Sequence, residues 1–536
     1  MWPKSRSRAI FWTASLFILL LYLIHFVWQV SKNPLRLDEV DYYQCMENVQ
    51  RLGLPLYYAG EVNIDPDHLM YLSTRYLDGQ EFVFWRFKPE TGILKETFFA
   101  LVEGTSRYTF GMWHPPLYIY LGSLAFRLLP LTPASSHLLR YFNLIFSIGI
   151  FIGMLALSRK LYPDKHRQVF LIALILYTLN SLAVRGSILI DYNATLGPCV
   201  AIWFVAIYLS EQEQRFPWKF ALLTALAFFT SLGIAVNLVI GTLIYVLLAG
   251  RDQRPWRTTA AIVAGTAGFL LTFLIFCRIS RLPFSQPFLH NISRLDAQVT
   301  LAWLINQVHT AVRYTQIYSE EIGLPIVITI AGLCLKTICT KEVCRAPKRG
   351  YLPVMLITGL TSHAALGAEA YGFIKYILFL LPLLFVYLAG EELILLYDAS
   401  RLWKALAVVT LALIVWASAA NSLQMMRLPG GTLYDKGAQG TVAIAQRLEV
   451  VSNPDAIILS DKDVAFFAQR KFVQWSRTYL TDIESLRTRV AEEGIRYTVI
   501  NSNTLAVFPE LSAYLNDEFL VQDRIGSYVL LRRKDR

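Results

Sequence analysis

The sequence predicts a polytopic α-helical membrane protein of about 11 spans with a small C-terminal α/β domain. Three observations carry that expectation. The 536 residues are 55% hydrophobic and 17% charged, with a mean hydropathy of +0.43, which is too apolar for a soluble chain of this length. Apolar runs recur from residue 10 to 421, and clusters of Lys and Arg fall on alternate connections between them, as the positive-inside bias requires. From Met425 onward the composition turns soluble. The expected domains are therefore 1–424 in the membrane and 425–536 outside it.

The first apolar run, Ile10 to Val30, follows Lys4, Arg6 and Arg8 and lacks a small-residue cleavage site. It reads as a retained span entering from the cytoplasm. Further spans are expected over 137–158, 168–184, 193–210, a pair within 220–250 broken near Gly233 and Asn237, 259–277, 323–338, 351–367, 372–390 and 404–421. This path puts 31–135, the 185–192 turn, 278–322, the 368–371 turn and the C-terminus on the outer face. Leu117 to Leu129, interrupted by Arg127 and bounded by prolines, is too short to cross a core of roughly 30 Å and is expected to lie along the surface. Glu81–Phe87 and Gly92–Val102 alternate polar and apolar residues around a turn and predict a β-hairpin insertion. In the C-terminal part, Ala456–Leu459, Phe472–Trp475, Tyr497–Ile500 and Ser527–Leu531 read as strands, with a helix over Asp482–Glu493.

Charge and cysteine usage exclude several classes. The net charge of +11 belongs to cytoplasmic loops, and no basic stripe interleaved with aromatics points to nucleic acid. Cys45, Cys199, Cys277, Cys334, Cys339 and Cys344 match neither metal-knuckle nor redox spacing and read as unpaired thiols.

The polar residues expected on the outer face form a pattern. Asp38, Glu39 and Asp41 follow directly on the first span. Carboxylates there suit a general base or a metal ligand, while Asp38 or Asp41 capping the next helix fits the spacing equally well. Trp113 and His114 precede Pro115-Pro116-Leu117-Tyr118, so His114 opens a helix stiffened by proline; Trp113 and Tyr118 also suit an interfacial aromatic belt. Arg140 opens the second span, where either a functional role or snorkelling to headgroups fits. Arg185 and Asp191 flank the turn between the third and fourth spans, and Glu369, Lys375 and Tyr376 lie at the turn and outer start of the tenth span; each charged set can pair internally. Cations at a membrane surface suit a lipid phosphate, and a carboxylate beside them suits a base acting on an acceptor hydroxyl or amine. A transporter or flippase, or a non-catalytic binding protein for lipid-linked sugars, is the competing class; a transporter would place its charges near the midplane, often with repeat symmetry, and no repeat is present.

Asp38-Glu39-Val40 after the first span, then His114-Pro115-Pro116-Leu117, then Arg140, resemble the multi-spanning glycosyltransferases of the protein O-mannosyltransferase and lipid A aminoarabinose transferase superfamily (C-type glycosyltransferase fold). Tyr371 to Leu384 is similar to the pattern of a basic residue, Tyr and Pro in a late span of those proteins. The resemblance implies a bacterial inner-membrane protein with a periplasmic C-terminal domain. It implies inverting transfer of a sugar from a polyprenyl-phosphate donor, with Asp38 as catalytic carboxylate and Glu39 orienting the acceptor or a metal. Arg140 and Lys375 would meet the donor phosphate, joined by His114 and Arg185, with Trp113, Tyr118, Asp191, Glu369 and Tyr376 as further substrate-site residues. His290 could join Glu39 as ligand to a divalent metal. The acceptor is a glycan, lipid or protein. Two departures matter: Trp113-His114 stands where aminoarabinose transferases carry Glu-Lys, which argues against that particular activity, and no large β-trefoil insertion of the eukaryotic mannosyltransferases is present.

Overall fold

The computed structural model describes residues 4–36, 38–53, 55–58, 108–110, 114–129, 131–211, 216–249, 255–280, 284–285, 287–288, 323–339, 347–366, 374–398, 400–427, 440–475 and 477–534. The expected hairpin over 81–102 lies outside them. The chain divides into two compact units: one of residues 1–31, 112–118 and 140–428, the other of 32–111, 119–139 and 429–536.

The first unit is helical. By length and composition, five helices among the described residues can cross a membrane: Ala9–Lys32, Ser136–Leu161, Leu232–Ala249, Pro255–Ser280 and Ile377–Tyr397. A sixth is reached if His166–Leu179 and Ser181–Ile188 form one span. The described parts of the expected spans fall on helical segments. Several of these, including Leu196–Glu211 and Trp218–Thr230, are shorter than a full crossing. The third differs from the straight span expected. It bends by 70° at Asn180, whose extended backbone ends one helix while its side-chain oxygen accepts the Ala183 N–H to start the next. The break expected near Gly233 falls at Ser231, which is extended and ends the helix Trp218–Thr230.

These helices pack as membrane helices do, through small residues and hydrogen bonds. A Cβ at Gly265 would collide with the Ala221 carbonyl of the neighbouring helix, so only glycine permits that approach. Trp203 Nε1–H donates to the Gly149 carbonyl at 3.0 Å. Ile145, Ile148 and Ile152 project outward while Phe146, Ile150 and Met154 of the same helix are buried, the two-faced pattern of a helix that meets lipid on one side.

The second unit holds the helix Asp38–Leu52, a short pair β1 (Leu56–Tyr58) and β2 (Tyr108–Phe110), and a five-stranded sheet. The sheet strands are β3 (Ile457–Ser460), β4 (Lys471–Gln474), β5 (Tyr497–Asn501), β6 (Phe519–Ile525) and β7 (Tyr528–Arg533), in the order β4-β3-β5-β7-β6. β3 pairs in parallel with β4 and β5, whereas β7 runs antiparallel to β5 and β6. Leu486 and Val490 from one helix and Leu511 and Leu515 from another pack with Leu459, Val473, Ile500 and Leu531 in one core. The expected strands and the helix Ile483–Glu492 are present; Asp482 caps that helix through the Glu484 and Ser485 N–H groups. β6 has no counterpart in the sequence reading. It is an edge strand that leaves Leu520 and Val521 exposed and carries an irregular register between Val521 and Asp523, so it lacks strict alternation.

Candidate active site

The acidic turn belongs to the second unit. The Glu39 N–H donates to the Arg36 carbonyl at 2.8 Å, and the Glu39 carboxylate accepts the Arg36 backbone N–H at 3.1 Å. This reciprocal pair closes the start of the helix in the manner of a capping box. Capping, left open between Asp38 and Asp41 on spacing, thus involves Glu39, which is completely buried.

Asp38 and Asp41 lie one helical turn apart, on one face. Lys462 Nζ donates to Asp41 Oδ2 at 2.6 Å and stands 4.0 Å from Asp38 Oδ1. The side chain of Asp38 is 42% exposed and that of Asp41 only 7%. Asp41, a capping candidate on spacing, is therefore a buried ion-pair partner, and its second oxygen has no hydrogen-bond partner among the described residues. Burial pushes the Asp41 carboxyl up to about 6, with Asp38 adding to the rise and Lys462 opposing it. Burial works against the Lys462 ammonium, but Asp41 and Asp38 outweigh it and raise its pKa. At neutral pH both partners are charged.

Lys462 is the first residue of the helix Lys462–Ala468, at the carboxyl end of β3. The chain leaves β3 toward β4 on one side and leaves β5 toward β6 and β7 on the other. The carboxyl ends of β3 and β5 thus form a topological switch point, where open α/β sheets place functional groups. A second ion pair, Arg36 with Asp463 at 3.7 Å, lies beside the first. Tyr43 packs its ring edge-on to Phe466 and to Phe126.

The first unit holds a polar cluster around Asn143. Tyr118 Oη donates to Asn143 Oδ1 at 2.8 Å and Thr195 Oγ1 donates to it at 3.1 Å, while Asn143 Nδ2 donates to the carbonyls of Ser187 and Leu189 at 3.2 and 2.7 Å. One amide therefore joins the Pro-Pro segment, the head of the second expected span, the end of the helix Ser181–Ile188 and the turn that follows. Tyr192 Oη is hydrogen-bonded to His114 Nε2, with the rings 4.3 Å apart. Asp191 Oδ1 accepts the backbone and side-chain N–H groups of Asn193 at 2.8 and 3.0 Å, an Asx turn. Arg140 and Arg185 are buried in the same unit. Lys375 and Tyr376 lie in the 3-10 helix Ile374–Leu380 that leads into Leu381–Asp398. Trp113, His290 and Glu369 lie outside the described residues. Among the described residues no group of three or more His, Cys, Asp or Glu is arranged to hold a metal ion.

No protein-family model and no curated protein matches the chain. Solved structures do. ArnT from Cupriavidus metallidurans bound to undecaprenyl phosphate aligns over 99% of this chain and 98% of its own, with a TM-score of 0.55 and 13% identity. Its apo structure aligns over 98% of both chains, with a TM-score of 0.56 and 13% identity. The fold is that of ArnT. It is the fold that the motif order implies, and the alignment extends over the C-terminal sheet as well as the helices. Within it, three residues stand out that sequence reasoning passed over: Asn143, Tyr192 and Lys462. A charged Asp461-Lys462-Asp463 directly after a strand was the available signal for the last.

Proposed function

We propose that the protein is an integral-membrane inverting glycosyltransferase that moves a sugar from a polyprenyl-phosphate donor to an acceptor at the outer face of the membrane. The observation that carries this reading is the contrast within the acidic turn. Glu39 is buried in a backbone bond and Asp41 in a close ion pair, while the Asp38 side chain, 4.0 Å from the same lysine, stays 42% exposed. In the reaction, Asp38 removes the proton from the acceptor hydroxyl or amine. The freed electron pair attacks the anomeric carbon, the bond from that carbon to the phosphate oxygen breaks, and polyprenyl phosphate leaves with the electron pair. Arg140 and Lys375, aided by His114 and Arg185, meet the charge that develops on it. The likeness to ArnT with undecaprenyl phosphate supports the donor class. An eleven-span path with an outer C-terminus puts these residues on one side of the membrane.

The test is transfer of radiolabelled sugar from synthetic polyprenyl-phosphate donors in proteoliposomes. Asp38→Asn is expected to lose about 10³-fold or more in kcat. Equal turnover in both proteins would remove Asp38 from the reaction. Uptake of donor without transfer, unchanged by Asp38→Asn, would favour a transporter or binding protein.

A further inference from the structure

We infer that Lys462, contributed by the C-terminal α/β sheet, is a positioning residue for the Asp38 carboxylate, acting by bridging Asp38 and Asp41 from the carboxyl end of β3. The inference rests on the assignment of Asp38 as base. Two carboxylates one turn apart on a helix repel, and the exposed one would swing away from the buried one. The ammonium lies in contact with Asp41 and within 4.0 Å of Asp38. It offsets that repulsion and gives the exposed carboxylate a fixed neighbour. Asp41 acts as the anchor: it is buried, it contacts Lys462 directly and it leaves Asp38 the exposed role.

The surroundings hold Lys462 itself in register. Adjacent residues of opposite sign, Lys462 and Asp463, face residues of opposite sign, Asp41 and Arg36. Phe466, one turn beyond Lys462, packs on Tyr43, one turn beyond Glu39. The contact thus combines two ion pairs with an aromatic contact. Such support is what a reacting group needs, because a misplacement of about 1 Å can cost about 10²-fold in rate.

A tether between segments would use the same pair, so the test separates tethering from positioning. Lys462→Met alone leaves Asp41 as an uncompensated buried anion and is a poor probe. The double variant Asp41→Asn, Lys462→Met removes both charges and keeps the volume. Positioning predicts a folded protein with kcat reduced about 10²-fold and KM for the donor within about twofold of wild type. Wild-type turnover in the folded double variant overturns the inference. Lys462→Arg gives a second measurement. It preserves the pair with Asp41 but offers Asp38 a larger planar cation. A fall of about tenfold in kcat at unchanged melting temperature is expected, and unchanged kcat overturns the inference. Asp38→Asn run in the same assay keeps the two conclusions apart. If Asp38→Asn is active, the underlying assignment fails; if it is dead while the double variant turns over normally, only the role of Lys462 fails.

Discussion

The two units solve the problem of buried polarity differently. In the second, Asp41 and Lys462 meet as full charges across 421 residues of sequence. In the first, Asn143 satisfies two hydroxyls and two carbonyls with a neutral amide. A neutral hub rigidifies without creating a field and suits the head of a span. A charged pair is costly to bury, yet it alone can hold a neighbouring carboxylate ionised and oriented. The comparison teaches that a neutral hub around Asn143 and a charged pair at Asp41 and Lys462 satisfy buried polar groups by different physics, each within its own unit.

Removing the hub is the strongest way to break this contrast. Asn143→Leu leaves the Tyr118 and Thr195 hydroxyls and two carbonyls without their shared partner in a dry setting. The expected cost is about 3–5 kcal/mol, read as a fall in melting temperature of the detergent-solubilised protein. A change below about 1 kcal/mol would mean the four groups find other partners and Asn143 is not a hub.

Acidity sharpens the other half. The folded Asp41 carboxyl titrates at about 6, raised by burial from an ordinary value near 3.8. A raised carboxylate contributes stability that is complete below the ordinary value and is lost as pH rises through the folded one. The loss is at most about 3 kcal/mol between pH 4 and 7. Asp41→Asn lacks this dependence. The stability of wild type relative to Asp41→Asn should therefore increase as pH falls from 7 to 5. A relative stability that instead decreases on acidification would mean that Lys462, not burial, controls Asp41.

How much of this was legible in the sequence follows the range of each interaction. The expected spans fall on helical segments, because hydropathy is a local property read over a window, while five or six of the described helices are long and apolar enough to cross. The acidic turn was visible as carboxylates directly after an apolar run, and Asp38 stood out through the motif order. The allocation of roles inside the turn was not visible. Whether Glu39 or Asp38 closes the helix depends on the Arg36 backbone, and whether Asp41 is buried depends on a lysine from the far end of the chain. Asn143 at the head of an apolar helix reads as an ordinary polar residue, since nothing local announces four partners. The bend at Asn180 was missed because Asn180 is one polar residue among apolar ones, and its capping bond with Ala183 overrides the hydropathy.

Tyr192→Phe tests the comparison at its finest grain. His114 was expected to meet the donor phosphate, and its Nε2 is hydrogen-bonded to the Tyr192 hydroxyl. That bond orients the imidazole ring, which also packs on Tyr192. Phenylalanine keeps the ring contact and removes only the hydroxyl, so the stability cost should be about 1 kcal/mol, well below that of Asn143→Leu. If His114 then meets the leaving phosphate, kcat falls several-fold with donor KM little changed, because the oriented ring matters most when charge develops. A rise in donor KM at constant kcat would instead make the His114–Tyr192 pair part of ground-state donor binding, with the electrostatic work left to the buried arginines and the acidic turn.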